Sequence, residues 1–442
     1  MLKLSERKEV VPQNFDVIIV GAGPAGSMAA LKLARAGLKV VMLERGRHPG
    51  AKNIFGGLLH NTPVLNEMLP AFWERAPLER HVFQKVLAFM TPTSAVSLTF
   101  ETEGFDELPR NGYTVFRPVF DNWLAGEAVK EGAQLLCNCT VENLVKKDGQ
   151  VVGVTVKGRE GGLRSNIVIA ADGVLSFLAR QADLRQDFRV EDMGLGIKLL
   201  LGLPKETIDE RFHLARDEGA DISFLGTTDA LRGGGFLYTN LESISIGMVV
   251  HLSSLKASGK SPYQVLDTFL KHRHIAKLIK GAVPLEYSAH LVPEGGIAAV
   301  PQVYTGGMMV VGDAAGLCYT NGINLEGINL AMTSGVLAAE TAIQAIEARD
   351  YSAAVLSLYR QKLDDSFIIK DMKTFKNAVD MMHIERLFQT YPQIISAILE
   401  KIYRVEGTPR EKIMKLGRKE ALKKVKTKDL IADSIKVGRA LL

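Results

Sequence analysis

Residues 17–26, VIIVGAGPAG, decide the fold, because an apolar run there ends in the spacing G-x-G-x-x-G. The β-branched residues that open this run predict a buried strand of a parallel sheet. Gly21 permits the tight turn after the strand, Gly23 lets backbone N–H groups approach a pyrophosphate, and Gly26 lets the next helix pack closely. The free N–H groups and the dipole of that helix would face the phosphates.

The segment that follows completes a dinucleotide-binding unit. The helix is predicted to end at Gly37, which suits a C-terminal cap, and residues 38–43 predict a second apolar strand that leads to Glu44. Glu44 lies 18 residues after Gly26, close to the spacing of a carboxylate that binds ribose hydroxyls. A glycine-rich turn in an ordinary α/β protein is the alternative, and the complete unit favours the dinucleotide site.

The composition is that of an ordinary globular protein. Its 442 residues are 47% hydrophobic and 23% charged, which suits two or three domains. The net charge of +5 is uneven, because residues 404–442 carry twelve Lys or Arg and five Asp or Glu while the rest is near neutral. A basic helix over residues 412–428 could lie on anionic lipid, on an acidic partner subunit, or in solvent. Nucleic acid is not expected, since no aromatic stacking residues accompany the charge.

Cysteine usage and hydropathy bear on the compartment. Cys137, Cys139 and Cys318 are too few for a disulfide framework and suit a reducing cytosol. Cys137 and Cys139 are predicted to share one face of a strand over residues 134–141, where packing explains them better than metal binding. No apolar run reaches the roughly 18 residues of a spanning helix, and the N-terminus has no apolar core. We therefore expect a soluble or peripherally attached cytoplasmic protein.

Two further buried strands are predicted to end in an acid. They are residues 167–173, IVIAADG, and residues 308–316, MMVVGDAAG. At the carboxyl ends of parallel strands, Asp172 and Asp313 can accept hydrogen bonds from a sugar or ribityl hydroxyl. A helix N-cap is the alternative for each of these residues.

Glycines mark two other places where backbone can approach a planar ring. In the basic loop of residues 45–57, Gly56 and Gly57 would let the backbone lie flat, with an ordinary surface loop as the alternative. Residues 319–348 predict a long amphipathic helix whose first, glycine-containing turns would leave N–H groups free.

The order of these motifs resembles the FAD-binding fold of the p-hydroxybenzoate hydroxylase and geranylgeranyl reductase superfamily. The resemblance implies that the first motif holds the ADP pyrophosphate and that the Gly-Asp motif holds the ribityl chain. It also implies that the helix start at Gly322 and Ile323 lies beside the flavin ring. The residues assigned to FAD are Gly21, Gly23, Ala25, Gly26, Glu44, Arg45, Lys52, Gly56, Gly57, Arg117, Val141, Ala171, Asp172, Gly173, Gly312, Asp313, Gly322 and Ile323.

A closer likeness, over nearly the whole chain, is to FixC-type flavoproteins, relatives of electron-transfer-flavoprotein:quinone oxidoreductase. It rests on four segments: residues 52–57 (KNIFGG), 233–238 (GGGFLY), 286–296 (EYSAHLVPEGG) and 407–409 (GTP). The likeness implies an FAD-dependent oxidoreductase that passes electrons from an electron-transfer flavoprotein to a membrane quinone such as menaquinone or ubiquinone. In some members of this group the chain is part of an electron-bifurcating complex.

The same likeness implies the partners. They are both electron-transfer-flavoprotein subunits, the quinone, and a separate ferredoxin-like iron–sulfur subunit. Three scattered cysteines cannot bind a four-cysteine cluster, so no metal is expected in this chain. On the quinone side, Tyr287 and His290 are three residues apart, and a loop from a strand could place both near a quinone carbonyl. The alternative is that Tyr287 packs and that His290 caps a turn.

The predicted fold class is α/β. A Rossmann-like FAD-binding domain of the p-hydroxybenzoate hydroxylase type carries an inserted mixed-sheet quinone or substrate domain and a C-terminal helical region. The predicted FAD-binding domain comprises residues 1–85, 113–193 and 297–350, and the inserted domain comprises residues 86–112 and 194–296. Residues 351–442 form the helical region with the basic tail. The apolar residues 234–237 could dip into a membrane surface or form a core strand.

Three alternative functions remain open on the same fold. A prenyl-lipid reductase and a flavin monooxygenase or halogenase share it, but the tryptophan motifs expected of the first and of the halogenases are absent. Trp73 and Trp123 are the only tryptophans, and neither fits. A structural subunit with a vestigial FAD is the third alternative, and the intact Glu44, Asp172 and Asp313 argue against it.

Overall fold

The computed structural model describes residues 14–52, 57–227 and 231–441. The strands within these ranges are β1 (Asn14–Val20), β2 (Val40–Leu43), β3 (Gly57–His60), β4 (Leu78–Thr91), β5 (Ser94–Glu101), β6 (Gly112–Val115), β7 (Gln134–Leu136), β8 (Val141–Lys147), β9 (Gln150–Val156), β10 (Leu163–Ala170), β11 (Met193–Gly202), β12 (Glu218–Leu225), β13 (Gly233–Thr239), β14 (Ser243–His251), β15 (Val283–Pro293), β16 (Tyr304–Thr305), β17 (Met308–Val310), β18 (Tyr319–Thr320) and β19 (Leu325–Glu326).

The α-helices within the same ranges are α1 (Pro24–Arg35), α2 (Pro63–Met68), α3 (Arg117–Lys130), α4 (Phe177–Gln181), α5 (Lys205–Phe212), α6 (Leu252–Ser258), α7 (Pro262–Lys271), α8 (Arg273–Leu278), α9 (Ile328–Ala348), α10 (Ala353–Asp365), α11 (Phe367–Thr374), α12 (Ala378–Met382), α13 (Glu385–Phe388), α14 (Thr390–Tyr403), α15 (Ile413–Lys424) and α16 (Thr427–Leu441). None of these helices combines the length and the apolar character that crossing a membrane requires.

The first sheet has the strand order β16-β17-β10-β1-β2-β7. Strands β17, β10, β1, β2 and β7 run parallel, with β1 in the middle. Val17, Ile18 and Ile19 of β1 are fully buried, because elements cover both faces of the sheet. Helices α1 and α9 cross so closely that a Cβ at Gly335 would lie 2.1 Å from the carbonyl oxygen of Ala25.

The turn between β1 and α1 requires two of its glycines for steric reasons. Gly21 has φ +101°, and a Cβ there would lie 2.2 Å from the carbonyl oxygen of Ala171 on the neighbouring strand end. A Cβ at Gly26 would lie 2.0 Å from the carbonyl oxygen of Gly21. The predicted roles of these two glycines, a tight turn and close helix packing, are therefore confirmed.

The second sheet is mixed and has the order β15-β11-β14-β13-β12-β4-β6-β3, with β5 paired to β4. Strand β12 runs parallel to β4, and the other neighbours in this sheet are antiparallel. One face packs on α5 to α8 through residues such as Phe212, Leu266 and Phe269. Residues 234–237 lie in β13, between β12 and β14, so they form a core strand and do not dip into a membrane.

The chain after residue 350 is helical. Helices α10 and α11 pack into the core of the first sheet through residues such as Tyr359 and Ile368, and α14 contacts β4 and β5 of the mixed sheet. The hydroxyl of Ser396 on α14 lies 2.6 Å from that of Ser94 on β5. A salt bridge of 2.6 Å between Lys401 and Glu420 joins α14 to α15. The predicted α/β class, with its Rossmann-like sheet, inserted mixed sheet and C-terminal helical region, is confirmed.

Three sequence predictions differ from the observed elements. The strand over residues 134–141 ends at Leu136, so Cys137 and Cys139 follow β7 and do not lie within it. The helix predicted from residue 319 begins at Ile328, because the preceding residues form the hairpin of β18 and β19. The basic helix over residues 412–428 is divided between α15 and α16.

The hairpin of β18 and β19 closes through the side chain of Asn321. Its Oδ1 accepts hydrogen bonds from the N–H groups of Ile323 and Asn324, at 3.0 and 2.8 Å. Gly322 has φ +93°, a backbone conformation outside the helical region. Asparagine and glycine are typical of such a turn, so Gly322 and Ile323 lie at a hairpin and not at a helix start.

Strand β3, the first half of β4, and β6 pair within the mixed sheet, although the predicted FAD-binding domain includes most of their residues. The division of the chain into domains stays a prediction.

Candidate functional site

A cavity of about 780 Å³ lies between the two sheets. The turn after β1 lines one end of it, and the face of the mixed sheet opposite α5 to α8 lines the other. Alternate residues of a strand point to opposite faces, so Ile197 belongs to the core of this sheet while Gly196 and Lys198 line the cavity.

Most residues that the sequence assigned to FAD line this cavity, although their contact with a cofactor stays a prediction. Gly26 does not line it, because it lies beneath the turn against Gly21. Gly56 lies outside the described residues. The residues that line the cavity are Gly21, Gly23, Ala25, Glu44, Arg45, Lys52, Gly57, Arg117, Val141, Ala171, Asp172, Gly173, Gly312, Asp313, Gly322 and Ile323.

The start of α1 forms the phosphate-binding end of the cavity. The helix begins at Pro24 after Gly23, with no side-chain cap and no acidic residue in its first turn. A Cβ at Gly23 would meet nothing within 4 Å, so the space beside this backbone is open. Uncapped N–H groups and the positive end of the helix dipole thus border open space, which fits a pyrophosphate.

Glu44 is held at the same end by two backbone hydrogen bonds. Its Oε1 accepts from the N–H of Gly46 at 2.6 Å, and its Oε2 accepts from the N–H of Ala22 at 3.2 Å. A carboxylate can accept about four hydrogen bonds, so two more can come from the hydroxyls of a ribose.

Asp172 and Asp313 line the cavity at the ends of β10 and β17. The Oδ1 atom of Asp172 is buried and has no hydrogen-bond partner among the described residues, which fits a hydroxyl donor from a ligand. Burial raises the pKa of both carboxyl groups. Neither residue is a helix N-cap: Ser176 caps α4, and Asp313 lies within a short 3₁₀ turn over Gly312–Ala315.

Arg117 contributes positive charge to the wall of the cavity. Its Nε and Nη2 donate to the two carboxylate oxygens of Asp121, at 2.8 and 2.9 Å. Burial disfavours the charged guanidinium, but the Asp121 carboxylate outweighs it and raises the pKa of Arg117. Arg117 is therefore a fixed cation on the cavity wall.

Lys198 is a cavity residue that the sequence analysis missed. It is the single charged residue of β11, MGLGIKLLLG, and that isolated charge in an apolar strand could have revealed it. Burial, with a smaller contribution from Arg117, lowers the pKa of Lys198 to about 7. Its ammonium group lies 5.1 Å from the centre of the Phe236 ring.

The structure separates Tyr287 from His290. Both lie within β15, where residues three apart point to opposite faces, so the prediction of a shared loop is corrected. His290 lines the cavity, whereas Tyr287 does not and has its ring 6.5 Å from that of Tyr263. Burial lowers the pKa of His290; Asp313 opposes this shift, and Arg117, Lys198 and Arg45 add to it.

Within the described ranges, no three His, Cys, Asp or Glu side chains come together in a group that could hold a metal ion. Cys139 and Cys318 are buried, and Cys137 is partly buried.

Comparisons with known proteins assign the chain to a family. Residues 16–181 match the family described as FAD dependent oxidoreductase, and residues 378–442 match the ETF-QO/FixC family C-terminal domain. The chain is 41% identical to protein FixC of Bradyrhizobium diazoefficiens over 98% of this chain and 100% of that protein. The chain belongs to the FixC and electron transfer flavoprotein–quinone oxidoreductase family. It is also 41% identical to the probable electron transfer flavoprotein-quinone oxidoreductase YdiS of Escherichia coli, over 97% of this chain and 99% of that protein.

Solved structures with the same fold are more distant in sequence. A geranylgeranyl bacteriochlorophyll reductase-like protein from Thermoplasma acidophilum has a TM-score of 0.70 and 23% identity, over 95% of this chain and 99% of that one. A flavin-dependent brominase has a TM-score of 0.62 and 18% identity, over 92% of this chain and 94% of that one. These likenesses establish the fold alone.

This family member is an FAD-dependent oxidoreductase, and its cavity fits FAD. When bound, FAD supplies the ability to accept and pass on electrons. The start of α1 and Glu44 would hold the ADP part, and the unpartnered oxygen of Asp172 would accept from a hydroxyl. Arg117, Lys198 and His290 line the rest of the cavity and would favour negative charge there.

Proposed function

We propose that the chain passes electrons from an electron transfer flavoprotein to a membrane quinone. The observation that carries this proposal is that one cavity joins the dinucleotide turn to the face of the mixed sheet opposite α5 to α8. An FAD bound at the turn would leave the far end for a flat, apolar acceptor. The name of the Escherichia coli relative, which specifies an electron transfer flavoprotein and a quinone, supports the same pairing.

The far end of the cavity has the character of a quinone site. Phe236, Val249, Leu291 and Val292 supply apolar walls, and His290 supplies a ring nitrogen. Apolar walls with a few polar groups are typical of small-molecule sites. Quinone reduction consumes protons, and histidine is suited to hydrogen bonding with a carbonyl and to proton exchange near neutral pH.

We expect His290→Leu to lower the rate of quinone reduction about fivefold, the effect of losing one hydrogen bond of about 1 kcal/mol. The rate of reoxidation of the bound flavin by a soluble quinone analogue measures this. Tyr287→Phe is the matched control, because Tyr287 lies on the other face of β15 and should leave the rate unchanged. Equal losses in both variants would contradict the assignment.

The proposal includes a separate ferredoxin-like iron–sulfur subunit and both electron-transfer-flavoprotein subunits as partners. This chain has three cysteines, one fewer than a four-cysteine cluster requires, so the proposal places the cluster on a separate subunit. The exposed basic residues of α15, among them Lys415, Lys419 and Lys423, would bind an acidic partner subunit.

A place in an electron-bifurcating complex belongs to the same proposal. Its test is whether the assembled complex reduces ferredoxin and quinone together from NADH.

We further propose that this protein touches the cytoplasmic face of the membrane through one edge of the mixed sheet. The apolar edge consists of Tyr263, Val283, Leu285 and Tyr287, which are 66%, 61%, 59% and 47% exposed. β15 is the outer strand of its sheet, and the preceding helix α8 and its end carry exposed Arg273, Lys277 and Lys280. Apolar and aromatic residues beside basic ones fit an anionic lipid surface.

Leu285→Ser should weaken binding to vesicles of phosphatidylglycerol and phosphatidylcholine about tenfold, because it removes about 1.5 kcal/mol or more of apolar burial. Vesicle co-sedimentation measures the bound fraction. The matched control is Leu98→Ser, since Leu98 is 68% exposed on β5, which pairs with β4 away from this edge. A loss of binding that is the same at both positions would sink the assignment of the edge.

An anaerobic reduction assay tests the proposed function. The protein with bound FAD is mixed with NADH in the presence or absence of the electron-transfer-flavoprotein subunits, and flavin absorbance is followed. The proposal predicts reduction only when those subunits are present. Direct reduction by NADH or NADPH, with oxygen consumption, would instead indicate a flavin monooxygenase.

A further inference from the structure

Three titratable side chains, those of Glu294, His251 and His383, lie in sequence between the cavity and the protein surface. Glu294 follows β15 and lines the cavity, and its Oε2 lies 3.6 Å from the Nε2 of His251. His251 ends β14 and also lines the cavity. Its ring centre lies 5.7 Å from that of His383, which follows α12 and is exposed.

Backbone contacts fix the position of Glu294. Its N–H donates to the carbonyl of Asp192 at 2.7 Å. Its carboxyl lies against Gly194 of β11, where a Cβ would come within 2.5 Å of it. The side chain of Glu294 is 11% exposed and that of His251 is 6% exposed. The Nδ1 of His251 is buried and has no hydrogen-bond partner among the described residues.

We propose that Glu294, His251 and His383 form the route by which protons reach the far end of the cavity, at the mixed sheet, from solvent. A neutral imidazole accepts a proton at one nitrogen and releases one from the other, which suits a residue placed between a carboxyl and a surface histidine. The two separations are ones that a side-chain rotation or a single water molecule spans.

This inference rests on the proposed function, because quinone reduction is the step that consumes protons. The quinone takes two electrons, which come from the electron transfer flavoprotein through FAD, and two protons. Over the complete reaction both protons come from solvent, one when the flavin is reduced and the other when the quinone is reduced. Both carbonyl C=O double bonds become single C–O bonds, and one O–H bond forms at each oxygen. A quinone bound at the far end of the cavity therefore needs a path for protons as well as a path for electrons.

The charges around the route support this assignment. Burial raises the pKa of Glu294 to about 7, so this carboxyl exchanges protons near neutral pH. Burial lowers the pKa of His251 to about 4, with smaller contributions from Arg232 and His383. Burial also lowers the pKa of His383; Arg232 and Lys436 act in the same direction, and Asp380 and Asp192 oppose them. Both histidines are therefore neutral at pH 7 and free to carry a proton.

A stopped-flow measurement tests the route in the protein with bound FAD. The pre-reduced protein is mixed anaerobically with a water-soluble quinone analogue in weak buffer that contains a pH indicator dye. We expect His383→Asn to slow proton uptake at least tenfold, and added imidazole to restore it, because the site is open to solvent. Glu294→Gln should slow uptake similarly without rescue. His213→Asn, at another exposed histidine, is the matched control and should change nothing.

A second readout does not depend on turnover. NMR titration of the His383 ring should show an additional inflection near pH 7 from Glu294, and this inflection should vanish in Glu294→Gln. Wild-type proton uptake in His383→Asn and Glu294→Gln, or the absence of that inflection, would overturn the route while leaving the proposed function intact. A wild-type protein that quinone does not reoxidise would overturn the proposed function, and the route with it.

Discussion

Gly23→Ala is expected to weaken FAD binding about 100-fold while the protein keeps its fold. The φ of Gly23 is −75°, which alanine adopts, and a Cβ there meets no protein atom within 4 Å. The methyl group would instead occupy the open space beside the first N–H groups of α1. It would separate a diphosphate from charge-assisted hydrogen bonds of about 1.5–3 kcal/mol each.

Two neighbouring substitutions make this result interpretable. Gly21→Ala should lower the free energy of unfolding by about 3 kcal/mol or more, because φ is +101° and the Cβ would lie 2.2 Å from a backbone oxygen. Gly126→Ala, on α3 and with open space around it, should leave FAD binding unchanged. Isothermal titration with FAD and denaturant unfolding separate the two effects. Full FAD affinity in Gly23→Ala would contradict the placement of the pyrophosphate.

The second large effect is expected in the pH dependence of stability. Glu294 has a pKa of about 7 in the folded chain, against 4.5 for an ordinary glutamate. A raised carboxyl pKa means that the unfolded chain loses its proton first, between pH 4.5 and 7, so the folded state is penalised as pH rises. Above pH 7 this penalty amounts to about 3 kcal/mol.

Glu294→Gln removes the ionisation and should therefore stabilise the protein at high pH only. We expect its free energy of unfolding to match wild type near pH 4.5 and to exceed it by about 3 kcal/mol at pH 8. Urea unfolding at several pH values measures the difference. Glu286→Gln, at an exposed position of the same strand, is the control and should show no such trend. A difference that does not change with pH would show that Glu294 is not held protonated by burial.

The features that local sequence determines could be predicted. The turn after β1, the acid after β2, and the Asp residues after β10 and β17 each follow a strand directly. Parallel strands present their carboxyl ends at one edge of the sheet. That these residues lie near one another can therefore be predicted without knowing how distant strands pair.

The remainder of the site depends on pairing between distant strands. Lys198, His251 and Glu294 come from β11, β14 and β15, which the sheet brings side by side. The isolated charge of Lys198 in an apolar strand marks it as unusual, but it does not indicate which residues of the other strands lie beside it. The prediction that Tyr287 and His290 lie together rests on their spacing alone. In the extended conformation of β15, residues three apart point to opposite faces.

The rate at which the bound flavin is reoxidised is the most direct test of electron transfer to a quinone. The protein with FAD is reduced anaerobically through its electron transfer flavoprotein. It is then mixed either with a menaquinone analogue or with air-saturated buffer, while flavin absorbance is recorded. We expect the quinone to restore the spectrum of the oxidised flavin much faster than oxygen does. Reoxidation that is no faster with quinone than without it would contradict the proposal that this protein passes electrons to a quinone.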